Sequence, residues 1–254
     1  MTSARTTASA GAGPVRRLRA DRARQVADVL HQQVIQGAFA TGVLPDERLL
    51  AAEFAASRNT VRQALDILRE ERLIDRVPGI GTVVLNEKYT HGLNKLTGLA
   101  ETLGDYGVVS NEIRVATQVR PPTSVARRLQ VPVDEQVVYI EQLRRLGELP
   151  LSLDLTYLVP DIGLPLLDAD LRDNDIFALI EQISGHALGT AEIGIEAMNA
   201  DSHSAALLEV PKGAALLIVE RLSHLDDGRP IDLEYIRFRG DRLTMRAEAV
   251  RRSC

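Results

Sequence analysis

Two stretches of this chain repeat one pattern. LQVPVDEQVVYIEQLRRLGELPLSLDLTYL, which starts at Leu129, aligns with LEVPKGAALLIVERLSHLDDGRPIDLEYIRF, which starts at Leu208, at an offset of 79 residues once one extra residue is allowed at the turn. In both copies a Val-Pro pair ends a helical segment, a β-branched run carries Glu141 or Glu220, and a proline, Pro150 or Pro230, opens the next run. NEIRV (111–115) and AEIGI (191–195) recur at an offset of 80. A repeat constrains the fold more than local propensity does, because both copies must adopt the same local structure within a shared core. Alternation of apolar and polar residues makes the runs strands. Each half is expected to give a strand, a helix and a hairpin to one antiparallel sheet, an α+β domain of two pseudo-repeats with a cleft between its halves.

The repeat leaves residues 1–90 outside it, and a chain of 254 residues has room for a second domain. Charge separates the two parts: the whole chain carries −5, but residues 1–90 carry +3 and residues 91–254 carry −8. A basic N-terminal part can meet phosphate where the acidic remainder cannot. No apolar run approaches the roughly 20 residues that span a bilayer, so no membrane partner is expected. MTSARTTASAGAGP at the start lacks the apolar core of a secretory signal, and residues 1–19 are read as a disordered tail. The single cysteine, Cys254, builds no disulfide or cysteine metal site within one chain and fits a reducing cytoplasm. His31, His91, His186, His203 and His224 lack metal-ligand spacing, so neither a metal nor a cofactor is expected.

In the basic part, Val26, Val29, Leu30, Val34 and Ile35 follow helical spacing and Gly37 stops that helix. Pro45 introduces DERLLAAEF, where Asp46 can cap a second helix that buries Leu49, Leu50 and Phe54. Ser57 can cap a third helix from Arg58 to about Arg72, with Val61, Ala64, Leu65 and Leu68 as its core stripe. Arg58, Asn59, Arg62 and Gln63 lie off that stripe, the spacing of four stacking Arg58 with Arg62. Such a helix suits either of two roles, a solvated amphipathic surface or a reader of base edges in the major groove. LIDR and TVVL, joined by VPGIG, form a hairpin that exposes Arg76. Helix, helix, turn, helix, hairpin is the order of a winged helix-turn-helix, placed at residues 20–86, with a linker at 87–95 and the repeat-bearing domain at 96–250.

LPDERLLAAEFAASRNTVRQALDILREERLIDRVPGIGTVV (44–84) resembles the DNA-binding domain of the GntR family of bacterial transcription regulators. The resemblance implies contacts from Arg48 and Thr60 to the DNA backbone, Ser57 to phosphate, Arg58 and Arg62 to bases or adjacent phosphates, and Gly79 at the wing tip near the minor groove. Asn59 takes a base-facing position. LTGLAETLGDYG (96–107), the proline-led hairpins and ALLEVPKGAALLIVERL (206–222) resemble the UTRA ligand-binding domain of the HutC subfamily, related in fold to chorismate lyase. The implied function is a DNA-binding repressor, a homodimer on a palindromic double-stranded operator, controlled by a small-molecule effector and not an enzyme. The alternatives are a chorismate-lyase-like enzyme and a constitutive DNA-binding protein without effector; the clustered acids raise the first.

Sugar-phosphate-responsive members of the subfamily carry Arg-Leu-Arg in the first half and Ser-Leu-Tyr at the middle helix, where this chain has Gln142-Leu143-Arg144 and Asp175-Ile176-Phe177. Strand alternation puts Gln142 with Arg144, Ser152 with Asp154 and Thr156, and Asp232 with Glu234, Ile236 and Phe238. If these faces line the cleft, carboxylates outnumber cations. Arg144, Asp154, Asp175, Asp232 and Phe238 are therefore the expected effector residues, and the effector is expected to be cationic, zwitterionic or a neutral polyol rather than a sugar phosphate.

Overall fold

The computed structural model describes residues 14–85, 88–172 and 174–251, with side chains from residue 21 onward. The chain separates into two compact units between residues 87 and 88. The disordered tail expected at 1–19 lies outside the described residues up to residue 13; from Pro14 onward the backbone is already helical, so the first helix starts ahead of the expected boundary.

The first unit runs α1 (Pro14–Ile35), α2 (Glu47–Glu53), α3 (Arg58–Glu70), β1 (Ile74–Val77) and β2 (Gly81–Val84), the last two paired antiparallel. Its core joins Val26, Leu30 and Val34 of α1, Leu50 of α2, Val61, Ala64, Leu65 and Leu68 of α3, and Ile74 of β1. The stripe expected on α3 is buried throughout, while Val29 and Leu49, counted as core by spacing, are exposed. Asp46 caps α2, its carboxylate accepting from the Arg48 and Leu49 N–H groups at 2.8 Å each. In the wing, the Ile80 N–H donates to the Val77 carbonyl at 3.1 Å with Gly79 at φ +82°, a turn that requires a left-handed residue at its third position and places glycine there.

The second unit is built on a six-stranded antiparallel sheet of β4 (Val109–Val119), β5 (Val137–Leu146), β6 (Leu149–Leu158), β9 (Pro230–Arg239), β8 (Ala215–Leu225) and β7 (Leu188–Asn199), in that spatial order. Each repeat supplies three neighbouring strands and one helix, α5 (Thr123–Leu129) in the first and α8 (Ser202–Leu207) in the second, and the halves join where β6 pairs with β9. The symmetry reaches fine detail. A left-handed residue precedes each Val-Pro pair, Gln130 at φ +56° and Glu209 at φ +54°. The pairing slips once in each hairpin, at Arg144/Arg145 and at the equivalent Ser223/His224, each opposite its proline. Leu99 and Leu103 of α4 (Leu99–Leu103) pack with Val219, Ile236 and Phe238. Residues of α6 (Pro160–Leu167) and α7 (Ile176–Ser184) pack with Val138, Ile140 and Leu158.

The segment expected as a linker, 87–95, is a correction: Tyr89–Gly92 forms β3, which pairs in parallel with β10 (Leu243–Arg246), setting His91 opposite Met245. YTHG carries no hydrophobic alternation, and its partner strand lies far along the chain, so nothing local marks it as a strand.

Candidate functional site

Where the starts of α2 and α3 face the wing, a concavity of about 560 Å³ is lined by Arg48, Arg58, Arg62 and Arg76, with Asp46, Glu47, Ile80 and Thr82 among its other residues. The arginines converge because Ser57 starts α3 where it does: its Oγ accepts from the Thr60 N–H at 3.1 Å, which turns Arg58 and Asn59 outward and sets Arg62 and Gln63 one turn on. Of the residues expected at DNA, Arg48, Arg58 and Arg62 are brought together and Asn59 is exposed beside them. Ser57 and Thr60 are occupied with each other, their hydroxyls sharing a hydrogen bond of 2.8 Å, and Thr60 is only 8% exposed. Arg76, read only as exposed, joins the set. Glu47, which went unread, lies 3.1 Å from the Arg62 guanidinium and raises its pKa, chiefly through that hydrogen bond. Four guanidinium groups on one concave surface can meet phosphate and guanine edges together.

The second site lies in the sheet. Register sets Gln142 opposite Asp154, Asp154 opposite Ile236, Thr156 opposite Glu234, Glu234 opposite Arg221 and Asp232 opposite Ser223. All these polar side chains, with Arg144 and Ser152, are buried. Arg144 Nε lies 2.5 Å from Asp154 Oδ2, and Arg221 pairs with Glu234. The Arg221 guanidinium also stands over the Phe177 ring, 4.4 Å from its centroid. Thr156 donates to Glu234 at 3.2 Å and Ser223 to Asp232 at 3.3 Å. Each pseudo-repeat thus contributes one arginine, though at different positions: Arg221 aligns with Gln142, and Arg144 with Ser223.

Burial dominates the electrostatics. It raises the Asp154 pKa against the opposing pull of Arg144. Burial alone would lower the Arg144 pKa, but Asp154, Glu234 and Asp175 outweigh it and raise it. Burial and then Glu234 lift Asp232 well above the usual carboxyl range, favouring its neutral form. His91 is pushed down to about 4 by burial and by Arg221 and Arg144. Asp154 Oδ1, Ser152 Oγ, Asp232 Oδ1, Asp175 Oδ2 and Arg221 Nε are buried without a hydrogen-bond partner. Such atoms are costly unless something pairs with them.

A cavity of about 20 Å³ opens on this network, lined by His91, Leu99, Arg144, Asp154, Arg221, Ile236 and Phe238. That volume holds about one water, so a larger molecule enters only if lining side chains move. Of the expected effector residues, Arg144, Asp154 and Phe238 line the cavity. Asp232 and Asp175 do not. Asp232 lies farther along β9, against Ser223, while Asp175 caps α7 by accepting from the Phe177 N–H at 2.9 Å. Its other oxygen fills the space beside Gly98 where a side chain would otherwise start. The expected excess of carboxylates at the cleft is also corrected: the lining holds two arginines against Asp154. Arg221 is not among the expected residues, although β8 alternation puts it on the same face; His91 falls in the segment expected as a linker.

Two family models match the chain: "Bacterial regulatory proteins, gntR family" over residues 22–84 and "UTRA domain" over residues 106–244. The chain is 27% identical over 220 residues to the mannosyl-D-glycerate transport/metabolism system repressor MngR of Escherichia coli, covering 86% of this chain and 91% of that protein. It is 30% identical to the HTH-type transcriptional regulator Rv0792c of Mycobacterium tuberculosis, covering 86% of this chain and 82% of that protein. Among solved structures, PhnF from Mycobacterium smegmatis superposes with a TM-score of 0.65 at 24% identity, covering 89% of this chain and all of that one.

Proposed function

This chain belongs to the GntR family of bacterial regulatory proteins, in the branch that carries a UTRA domain, and from that premise we propose that it is a cytoplasmic, homodimeric repressor whose grip on a palindromic operator is set by a small molecule bound in the cavity over the central strands. The effector it fits is a hydroxylated or zwitterionic molecule carrying no more than one negative charge. What carries this reading is the pair of buried arginine–carboxylate contacts, Arg144 with Asp154 and Arg221 with Glu234. With Asp232 neutral, each of these arginines already has its carboxylate, and Asp175 adds a further negative charge nearby. A dianionic phosphate would leave two uncompensated charges in a buried site, whereas a zwitterion or polyol leaves none and a monocarboxylate leaves one. The relative named for mannosyl-D-glycerate points to a hydroxylated carboxylate, which falls within the class.

Asn59, Arg48, Arg58, Arg62 and Arg76 read the operator, with Gly79 carrying the wing tip; Ser57 and Thr60 hold the helix that does so. One short helix reads few base pairs, so a second copy doubles the site. The edge strand β7 supports self-association: Ile193, Ile195 and Met198 are all exposed on it. The second unit is read as binding and not catalytic, since Asp154 and Glu234 are committed to arginines. No described helix is long and apolar enough to cross a membrane. The effector shifts operator affinity only by preferring one domain arrangement, a coupling typically of about 1–3 kcal/mol, and DNA must weaken its binding by the same factor.

Thermal-shift measurements with mannosyl-D-glycerate, mannitol, L-serine and mannose 6-phosphate, followed by release of DNA from upstream of the gene, test the reading. One of the first three should raise Tm and release DNA. A response confined to the sugar phosphate overturns the charge assignment, and sedimentation showing only monomers at micromolar concentration overturns the dimer.

A further inference from the structure

His91 stands in β3, near the start of the second unit, and its ring lines the cavity beside Arg144, Arg221 and Asp154. It is only 7% exposed. Thr102 Oγ1, on α4, lies 3.0 Å from both the Gly98 carbonyl and His91 Nδ1, and 3.3 Å from Thr97 Oγ1. The Gly98 carbonyl can only accept; with the Thr102 hydroxyl donating to it, that hydroxyl accepts from His91, and the ring's hydrogen sits on Nδ1. Burial and the two arginines keep the ring neutral down to about pH 4, which leaves Nε2 with a lone pair. Among the described residues the ring makes no other side-chain hydrogen bond.

We propose that His91 carries its hydrogen on Nδ1 and that its Nε2 accepts a hydrogen bond from a hydroxyl group of the effector, while Arg144 and Arg221 hold the effector's anionic or carbonyl oxygen. This rests on reading the cavity as the effector site. A lone-pair acceptor beside two cations gives selectivity: the arginines disfavour a cationic donor there, so the position rewards a neutral hydroxyl. Because β3 is the first strand after the DNA-binding unit in the chain, an effector bonded to His91 is bonded to the segment that leads out of that unit.

Two substitutions test the role in the full-length chain. His91→Asn keeps an N–H donor near the place of Nδ1 for Thr102 and removes the acceptor, whereas His91→Gln restores an acceptor near the place of Nε2. Calorimetric titration uses whichever of mannosyl-D-glycerate, mannitol or L-serine raises the wild-type Tm most. His91→Asn should bind it about tenfold or more weakly, and His91→Gln within about threefold of wild type. Equal binding by His91→Asn and wild type, or equal losses in both variants, overturns the proposal. Nitrogen-15 histidine spectra at pH 7 give a ligand-free check: a neutral ring with hydrogen on Nδ1 supports it, and hydrogen on Nε2 overturns it. A wild-type chain that binds none of the three probes sinks the reading of the cavity itself, whereas a wild type that binds beside an unaltered His91→Asn sinks only the role of His91.

Discussion

Arg58 and Arg144 carry the same side chain in opposite settings. Arg58 stands exposed at the first turn of α3, on a concavity shared with three more arginines, where Glu47 pairs with Arg62. Arg144 is buried in the middle of a sheet, its Nε 2.5 Å from a carboxylate that is itself buried. The first is free to exchange water for phosphate, and its charge is a resource for binding. The second has lost its water on folding, and its charge is tolerable only because Asp154 answers it. On the proposed function the two sites therefore run on different terms: the concavity gains by adding a partner, whereas the cavity must trade one partner for another.

The contrast breaks most visibly in stability. Arg144→Ala leaves Asp154 buried and unanswered and should cost about 3–5 kcal/mol in urea unfolding at pH 7. Arg58→Ala should stay within about 0.5 kcal/mol of wild type, since its side chain is exposed. The double substitution Arg144→Met with Asp154→Leu should recover most of the loss by replacing the pair with apolar volume. A small effect of Arg144→Ala, or no recovery in the double variant, would show that the buried pair is not what the sheet depends on there.

A pH titration sharpens the same contrast. The folded-state pKa of His91 lies at about 4 against about 6.5 unfolded, so between those values the unfolded chain binds more protons. Stability from this group is complete above about pH 6.5 and is lost as pH falls towards 4, by at most about 3 kcal/mol. Wild type should therefore lose more stability across that window than His91→Gln, which has nothing to titrate. Parallel profiles for the two would place the ring in a wetter or less cationic setting than the one beside Arg144 and Arg221.

At the DNA face the losses appear in affinity and not in folding. Arg58→Ala or Arg62→Ala should each weaken operator binding by about 1–3 kcal/mol at fixed salt, with the circular dichroism spectrum unchanged. Arg76→Ala should lower affinity and flatten the salt dependence if its contact is to phosphate. Wild-type operator affinity in both α3 variants would remove that helix as the reader.

How far these two regions were legible in the sequence differs for a physical reason. The DNA face is local: cap, helix stripe and turn residues lie within a few residues of one another, so spacing alone brought Arg58 and Arg62 together and even the wing glycine was placed. The cavity is assembled from β3, α4, β5, β6, β8 and β9, and only the register of distant strands says which side chains meet. Alternation put Arg144, Asp154 and Phe238 on the right faces because strand period is fixed at two. It could not say that Asp232 lies too far along β9 to line the cavity, nor that Asp175 is spent as a helix cap. His91 was beyond reach, because β3 becomes a strand only by pairing with β10.

The smallest expected effect lies at Glu47, where the two sets of rules meet. Its carboxylate sits 3.1 Å from Arg62 on the concavity proposed to meet DNA, a part-exposed version of the pairing that holds Arg144. The Arg62 side chain is 62% exposed, so this contact contributes little to folding. Glu47 instead presents a negative charge where phosphate must come, and it must give up Arg62, or share it, when the operator binds. Glu47→Gln should therefore leave stability within about 0.5 kcal/mol and tighten operator binding by less than about 1 kcal/mol, the range of an exposed ion pair. The gain should be largest at low salt and fade as screening shortens the reach of the carboxylate. Weaker binding by Glu47→Gln would reverse the assignment: the ion pair would then be orienting Arg62 towards the bases, and the exposed arginines would depend on a carboxylate partner as the buried ones do.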